Sequence, residues 1–199
     1  MWKPYLAVVR KHIAGAVQIL DRFHIAALVN KALAQVRRGE GGELRGKRRG
    51  QKLKRTRWLL LRPRRRVRGK ARERLDALIG SKLKTARAWC LKESLTHLWT
   101  YNHPRWAEAF LRAWITRALR SRLPPMARVA RTLRAHQHLI LNWFTFRKEF
   151  SAAAVEGLNN KARVVTRRSY GFREFRVLEV ALYHTLGDLP EPPLPHRFC

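Results

Sequence analysis

Acidic residues are scarce in this 199-residue chain, so each one is informative: Asp stands only at positions 21, 76 and 188. Asp21 directly follows Ala16-Val17-Gln18-Ile19-Leu20, an apolar run of strand length. A carboxylate at the carboxyl end of a buried strand is where α/β proteins place ligand-binding and catalytic groups. The same residue is equally suited to cap the helix that begins at Phe23. Asp76 falls in an exposed helical run and Asp188 in a proline-rich tail. The second acid of interest is Glu156, within Val155-Glu156-Gly157-Leu158-Asn159-Asn160-Lys161. Gly157 costs ~1 kcal/mol in a helix interior, which points to a packing or close-approach role. Asn159 and Asn160, at i+3 and i+4, can flank Glu156 on one helical face. With Lys161, Arg163, Arg167 and Arg168 following, this carboxylate could hold a metal ion beside a phosphate backbone. It could equally be a first-turn Glu stabilising a helix dipole. His24, His136 and His138 are the other titratable candidates. His24 follows Asp21 by three residues, short for a helical metal pair, and reads as a structural or DNA-facing histidine.

The charge balance names the partner. Lys and Arg number 44 against 13 acids, a formal net charge of +31. A compact domain with that charge repels itself unless a polyanion binds it. Nucleic acid is the first candidate and an anionic membrane surface the second. Coding bias toward Arg contributes to the excess without removing its electrostatic consequence. Apolar residues make up 46% of the chain and seven are Trp, too many for a disordered basic tail, so a core is expected. No apolar stretch approaches the ~20 residues of a transmembrane helix. Met1-Trp2-Lys3-Pro4-Tyr5 has no signal-peptide core behind it. Cys90 and Cys199 are the only cysteines, which excludes a structural zinc site and a disulfide framework and predicts a reducing cytoplasm, with nucleoid association.

These residues must be positioned by a mostly helical chain. Residues 4–14 read as a short helix opened by Pro4 and stopped by Gly15, with Tyr5, Val8, Val9 and His12 at helical spacing. After the strand-length run and Asp21, residues 25–38 return to helical spacing through Ile25, Leu28, Val29, Ala32, Leu33 and Val36. Helix, strand, polar residue and helix predict an α/β unit. In residues 39–74, Gly39, Gly41, Gly42, Gly46 and Gly50 predict a loss of helical continuity. From Arg45 to Arg74, 16 of 30 residues are Lys or Arg against one acid, Glu73. A basic, partly flexible insertion is expected there, with Trp58-Leu59-Leu60-Leu61 its only apolar island. Residues 71–100 and 104–150 read as helical. One stripe holds Leu75, Leu78, Ile79, Ala86, Trp89 and Cys90, a second Trp106, Phe110, Ala113 and Trp114, a third Val129, Ala130, Leu133, Ile140, Trp143 and Phe144. Such stripes are core packing rather than a ligand box, and numerous enough to cover one another, unlike the exposed apolar face of a membrane-surface helix. Pro104 fits a first helical turn, and Pro124-Pro125 separates two helices. Residues 152–168 and 173–186 complete the helices, with Ser169-Tyr170-Gly171-Phe172 as a turn and residues 187–199 irregular.

An ordered set of segments carries a resemblance. Trp2-Lys3-Pro4-Tyr5, Asp21-Arg22-Phe23-His24 and Val36-Arg37-Arg38 open it. Leu83-Lys84-Thr85-Ala86-Arg87-Ala88-Trp89, Trp106-Ala107-Glu108, Ala130-Arg131-Thr132-Leu133 and Ile140-Leu141-Asn142 continue it. Val155 to Lys161 and Arg168-Ser169-Tyr170-Gly171-Phe172-Arg173 close it. Over residues 1–186 the chain resembles the catalytic domain of DDE-type transposases of bacterial insertion sequences, of the group called IS-L-three. The resemblance implies a ribonuclease-H-like α/β core with a helical insertion before the last acid, and two divalent ions, Mg²⁺, held by Asp, Asp and Glu. Glu156 matches the family's Glu, and Asp21 with His24 matches its Asp-Arg-Phe-His segment, with Asp21 either a metal ligand or a group supporting one. His24, Asn159 and Asn160 then surround the ligands. Arg62, Arg64, Arg65, Arg66, Arg68, Lys161, Arg167 and Arg168 would hold DNA phosphates.

The chain also departs from the pattern. The family's second Asp is expected immediately before the Trp2-Lys3-Pro4-Tyr5 segment, a place expected to lie off the end of this chain, ahead of Met1. Zinc-binding and helix-turn-helix regions, the first core strands and the first Asp have no counterpart here. Before Glu156 stands Glu149-Phe150-Ser151-Ala152-Ala153-Ala154 rather than Ser-Asn-Gly. The expected organisation is a partial ribonuclease-H-like core over 1–38, a basic linker and helical insertion over 39–150, core helices over 151–187, and a tail over 188–199. The expected function is that of a truncated transposase that binds transposon ends and target DNA but lacks a complete catalytic triad and does not bind Mg²⁺ productively alone. It would act beside a second copy or a full-length transposase, away from membranes. The competing expectation is a basic helical nucleic-acid-binding protein with no enzymatic ancestry.

Overall fold

Proline and polar punctuation sets the helices. The computed structural model describes residues 3–13, 15–46, 48–146, 153–168 and 171–187. The α-helices are α1 (Lys3–His12), α2 (Arg22–Glu43), α3 (Arg48–Gln51), α4 (Arg57–Leu61), α5 (Gly69–Ile79), α6 (Lys84–Leu95), α7 (Pro104–Arg120), α8 (Pro124–Ala135), α9 (Gln137–Thr145), α10 (Ala153–Arg168) and α11 (Phe175–Leu186). Pro104 and Pro124 occupy first turns, where a missing N–H costs nothing. The His103 ring Nδ1 accepts from the Arg105 N–H at 3.3 Å and caps α7. After α10 the chain turns at Gly171, whose φ of +97° is a conformation that a side chain would strain. Residues 169–170 of that expected turn, and the tail from 188 onward, lie outside the described residues.

The chain divides into two compact units, Met1–Phe150 and Ser151–Cys199, and each stands by itself below. In the first unit α2 packs against α6 and α8, and α7 packs against α8 and α9. Much of the expected stripes fills this core: Ile25, Val29, Leu33 and Val36 from α2, Ala86 and Trp89 from α6, Trp114 from α7, Ala130 and Leu133 from α8, joined by Leu111 and Met126, whereas Cys90, expected in the first stripe, is exposed. Each fully buried large side chain contributes roughly 1.5–3 kcal/mol. Trp114 also donates its indole N–H to the Leu91 carbonyl at 2.9 Å. Trp99 stacks on Phe144 at 5.8 Å and meets Trp143 edge-on at 5.1 Å. Trp106, expected in a core stripe, is 67% exposed instead, as is the side of α7 that carries Ala113. In the second unit α10 packs against α11.

Three expectations are corrected. No strand forms among the described residues, so the α/β unit is absent there and the mostly helical reading stands. Residues 16–20 form no regular element, with Val17 exposed and only Leu20 buried. The Leu20 N–H donates to the Leu139 carbonyl at 3.0 Å, and the Asn142 side chain donates to the Gln18 carbonyl at 2.9 Å, tying the run to α9. A strand needs a second strand for its ladder; α9 offers side chains and one terminal carbonyl instead. The glycines from 39 to 42 do not end α2, which continues to Glu43, so the boundary expected at 38/39 falls within a helix. A glycine weakens a helix interior by ~1 kcal/mol, and the packing of α2 outweighs that. The basic stretch is folded rather than flexible, because Leu53, Leu60 and Val67 are buried in the core. Gly50 is required there: a Cβ on it would collide with the Leu44 carbonyl.

What holds α2 to α6 is a buried carboxylate. The first N–H groups of a helix have no partner within it, and Leu83, which precedes α6, offers no capping side chain. Glu40, only 5% exposed, fills the gap from 44 residues away. One of its oxygens accepts from the Lys84 N–H at 2.7 Å, and the other accepts from the Thr85 N–H and the Thr85 hydroxyl, both at 2.7 Å. Glu40→Gln is expected to cost roughly 1–3 kcal/mol in urea unfolding, since one acceptor oxygen becomes a donor facing N–H donors. Combined with Thr85→Val the losses are expected to be less than additive, because both remove parts of one network.

Candidate nucleic-acid interface

The densest basic run is held open by two side chains on α6, the buried Lys92 and the half-buried Glu93. Lys92 lies below the end of α4 and donates from Nζ to the carbonyls of Leu60 at 2.8 Å, Leu61 at 3.2 Å and Arg62 at 3.3 Å. These are the carbonyls a helix end leaves open, and a cation beside them also suits the helix dipole. Burial pushes the Lys92 ammonium below its usual value, and the neighbouring Glu93 charge opposes that shift. Glu93 accepts from the Arg64 N–H at 2.9 Å. The chain after α4 is thereby fixed as it passes Pro63 and makes a single 3₁₀ turn, Arg64–Arg66, before Val67 plugs back into the core.

Arg62, Arg64, Arg65, Arg66 and Arg68 therefore stand exposed along an ordered segment. Asp76 proves to belong to it. Its carboxylate receives Arg64 at 3.0 Å and Arg72 at 2.8 Å, and Arg72 also donates to the Arg64 carbonyl at 3.2 Å. The Arg72 hydrogen bond first, and then that from Arg64, hold the Asp76 carboxyl below its usual value against partial desolvation. Arg74 braces the other side by donating to the Lys54 carbonyl. Among the described residues, Arg62, Arg65, Arg66 and Arg68 make no ion pair, so their charges face solvent. The exposed Trp58, 68% accessible, stands on the same short helix with the Arg57 guanidinium 5.0 Å over its ring.

The acids expected to hold metal are placed differently. Asp21 is the N-cap of α2: its Oδ1 accepts from the Phe23 N–H at 2.8 Å, with extended backbone at φ −63° and ψ 140°. Of the two readings open for this residue, the cap is realised. His24 is exposed in the first turn of α2. Glu156 falls in α10, in the second unit, and its side chain lies outside the described residues. Asn159 and Asn160 are exposed on that helix, and the Asn160 oxygen accepts from Arg163 at 3.4 Å. Lys161 and Arg167 are exposed on α10, and the Arg168 side chain lies outside the described residues. A hard divalent cation needs several convergent oxygen ligands. Among the described residues no group of three or more His, Cys, Asp or Glu side chains gathers, and Asp21, Glu40, Asp76 and Glu93 each accept bonds from protein donors. The described carboxylates thus do not fit a Mg²⁺ pair.

Glu40, Lys92 and Glu93 escaped the sequence reading, although a signal was present: in a chain so poor in acids, Glu40 and Glu93 are conspicuous, and Lys92 sits in an otherwise apolar stripe. Lys92→Met is expected to cost roughly 1–3 kcal/mol, by leaving three carbonyls without their donor. The readout is amide exchange, which should accelerate over residues 57–68 more than in α8. Asp76→Asn acts through pH. Because the folded carboxyl is held below the ordinary ~3.9, its contribution is present above that value and fades as pH falls through the lowered one. The variant should therefore lose its stability deficit in acid, and the gap between the two acid-unfolding curves should close below that range.

Comparison with known proteins agrees with the ordered segments. A family model described as "Transposase", of the DDE, ISL3 type, matches residues 1–182. The transposase for insertion sequence element IS1001 of Bordetella parapertussis is 30% identical over 176 residues, covering 87% of this chain and 43% of that protein. The transposase for insertion sequence element IS1557 of Mycobacterium tuberculosis is 26% identical over 212 residues, covering 96% of this chain and 47% of that protein. The chain thus spans less than half the length of the curated relatives it matches. No solved structure matches. A helical nucleic-acid-binding protein without transposase ancestry is set aside by the family match: this chain belongs to the ISL3-type family of DDE transposases.

Proposed function

We propose that the chain is the part of a DNA transposase that holds DNA by its phosphates, with the arginines of residues 62–68 as the principal contact. The single observation that carries this reading is the anchoring of that row: Lys92 and Glu93 fix its backbone while four of its guanidinium groups stay unpaired and exposed. Exposed phosphate contacts give affinity and position without sequence readout. Lys161 and Arg167 on α10, with Arg168, add a second basic stretch.

In this proposal Glu156 is a ligand of the Mg²⁺ that supports strand cleavage and transfer in the assembled enzyme, and Asp21 supports the site from the start of α2. Residues 16–20 would be a strand of a ribonuclease-H-like sheet, followed by a helical insertion and then α10 and α11 as core helices. What supports this is the exposed apolar side chains of Val8, Ile13, Val17 and Phe23, in and beside residues 16–20 along the chain, which a sheet would cover. Partners would be transposon ends, target DNA and a further transposase copy.

Two outcomes test the reading. Affinity for a random-sequence duplex should fall by about 10³–10⁵ between ~50 and ~200 mM salt if ~6–10 phosphates are neutralised. Replacing Arg62, Arg65, Arg66 and Arg68 by Gln should lower the salt slope by about 0.9 for each phosphate left without its arginine. A slope unchanged by the four substitutions would move the interface elsewhere. In a strand-cleavage assay with Mg²⁺ or Mn²⁺, this chain by itself should leave a labelled duplex uncut, because Asp21 and Glu156 are too few for a two-metal site. Metal-dependent cleavage that disappears in Glu156→Gln would show instead that the chain or its oligomer assembles a complete site.

A further inference from the structure

A cavity of about 290 Å³ opens between α2 and α4, apart from the arginine row and its anchors. Leu60 and Leu61 form an apolar wall, and Asn30, Lys31, Arg37 and Arg57 line the rest. Asn30 and Arg37 lie seven residues apart, two turns along one face of α2. Among the described residues, Asn30 Oδ1 and Arg37 Nε are both buried without a hydrogen-bond partner. Native structures pair such atoms almost without exception, and an orphaned acceptor and an orphaned donor on one cavity call for an explanation.

The chemistry of the lining narrows the ligand. A simple anion would use the three cations but would meet the Asn30 oxygen as repulsion and leave the leucine wall uncovered. An apolar ligand would leave both polar atoms unpaired. A nucleobase satisfies all of it: its flat face covers the leucines, its edge offers a donor to Asn30 and an acceptor to Arg37, and its flanking phosphates meet Lys31 and Arg57. The volume lies just under the ~300–1,000 Å³ of small-molecule sites, which suits a single base. Leu61 lines the cavity and the next residue, Arg62, opens the exposed arginine row, so the two are neighbours along the chain. On the same short helix, the exposed Trp58 offers a platform for a neighbouring unstacked base.

We infer that this cavity receives one unpaired nucleobase from DNA lying on the arginine row, so that the protein distinguishes distorted or opened DNA from intact duplex. The inference rests on the DNA-holding reading above, and the test separates their failures. Two labelled duplexes are compared that are identical except for one unpaired adenine. The protein should bind the bulged duplex about tenfold more tightly, the scale of one stacked base. Ala34→Trp, which fills the cavity from α2, and Arg37→Lys, which keeps the charge but loses the Nε donor, should each erase that preference. Both should leave affinity for the intact duplex within about twofold, with unchanged circular dichroism and melting as the control for folding. Tight binding of both duplexes without preference, or a preference that survives both substitutions in folded protein, overturns the cavity assignment and leaves the DNA reading standing. Failure to bind either duplex at low salt overturns both. Loss of the preference on adding free deoxyadenosine monophosphate, with intact-duplex binding unchanged, would support the inference, because a free base then competes with the bulged one for the cavity.

Discussion

Glu40 lies in the core with both carboxylate oxygens turned toward the open N–H groups of α6, and the first unit depends on that arrangement. Removing a carboxylate from water is costly unless donors replace the lost hydration. Here three donors at 2.7 Å do so, at the positive end of a helix dipole. The junction joins α2 to α6 across a separation of 44 residues, and α6 in turn carries Lys92 and Glu93. Everything that displays the arginine row descends from that junction, because the position of α6 decides where Lys92 meets the end of α4.

In a chain of net charge +31, four of the described acids are used inside or at the joints of the fold, while most described cations are exposed. Asp21 caps α2, Glu40 caps α6, Glu93 holds the Arg64 backbone and Asp76 gathers Arg64 and Arg72. The exposed pairs contribute little individually, on the order of 0–1 kcal/mol. Their effect is geometric, since they fix one end of a row whose remaining guanidinium groups make no ion pair among the described residues. Self-repulsion among such groups is relieved when a polyanion arrives.

Lys92 and the Asn30–Arg37 pair represent two opposite treatments of buried polarity. Lys92 is buried with three carbonyl acceptors and its pKa is lowered by desolvation, so its role is complete within the fold. Asn30 and Arg37 keep unpartnered atoms beside an apolar cavity. Lys92 thus serves the architecture, whereas the open atoms of Asn30 and Arg37, unlike those of Trp89 and Glu93, line a cavity.

The sequence by itself determined the helices and much of the core. Prolines at 104 and 124 start α7 and α8, and the spacing of Ile25, Val29, Leu33 and Val36 buries one face of α2, because capping and the 3.6-residue period act within a few residues of chain. The order of family-like segments also placed the chain among the transposases. Tertiary structure decided the rest. Whether residues 16–20 form a strand depends on a partner strand rather than on their own pattern, and whether Asp21 caps a helix or faces a metal depends on what surrounds it. The glycines at 39–42 read as breakers, yet packing on α6 and α8 carries α2 through them. Trp106 fits an apolar stripe but lies exposed on α7. Glu40 and Lys92 stood out in the sequence, but their partners were unreadable for one physical reason: they are 44 and about 30 residues away, and only the packing of α6 against its neighbours brings donor and acceptor within hydrogen-bond distance.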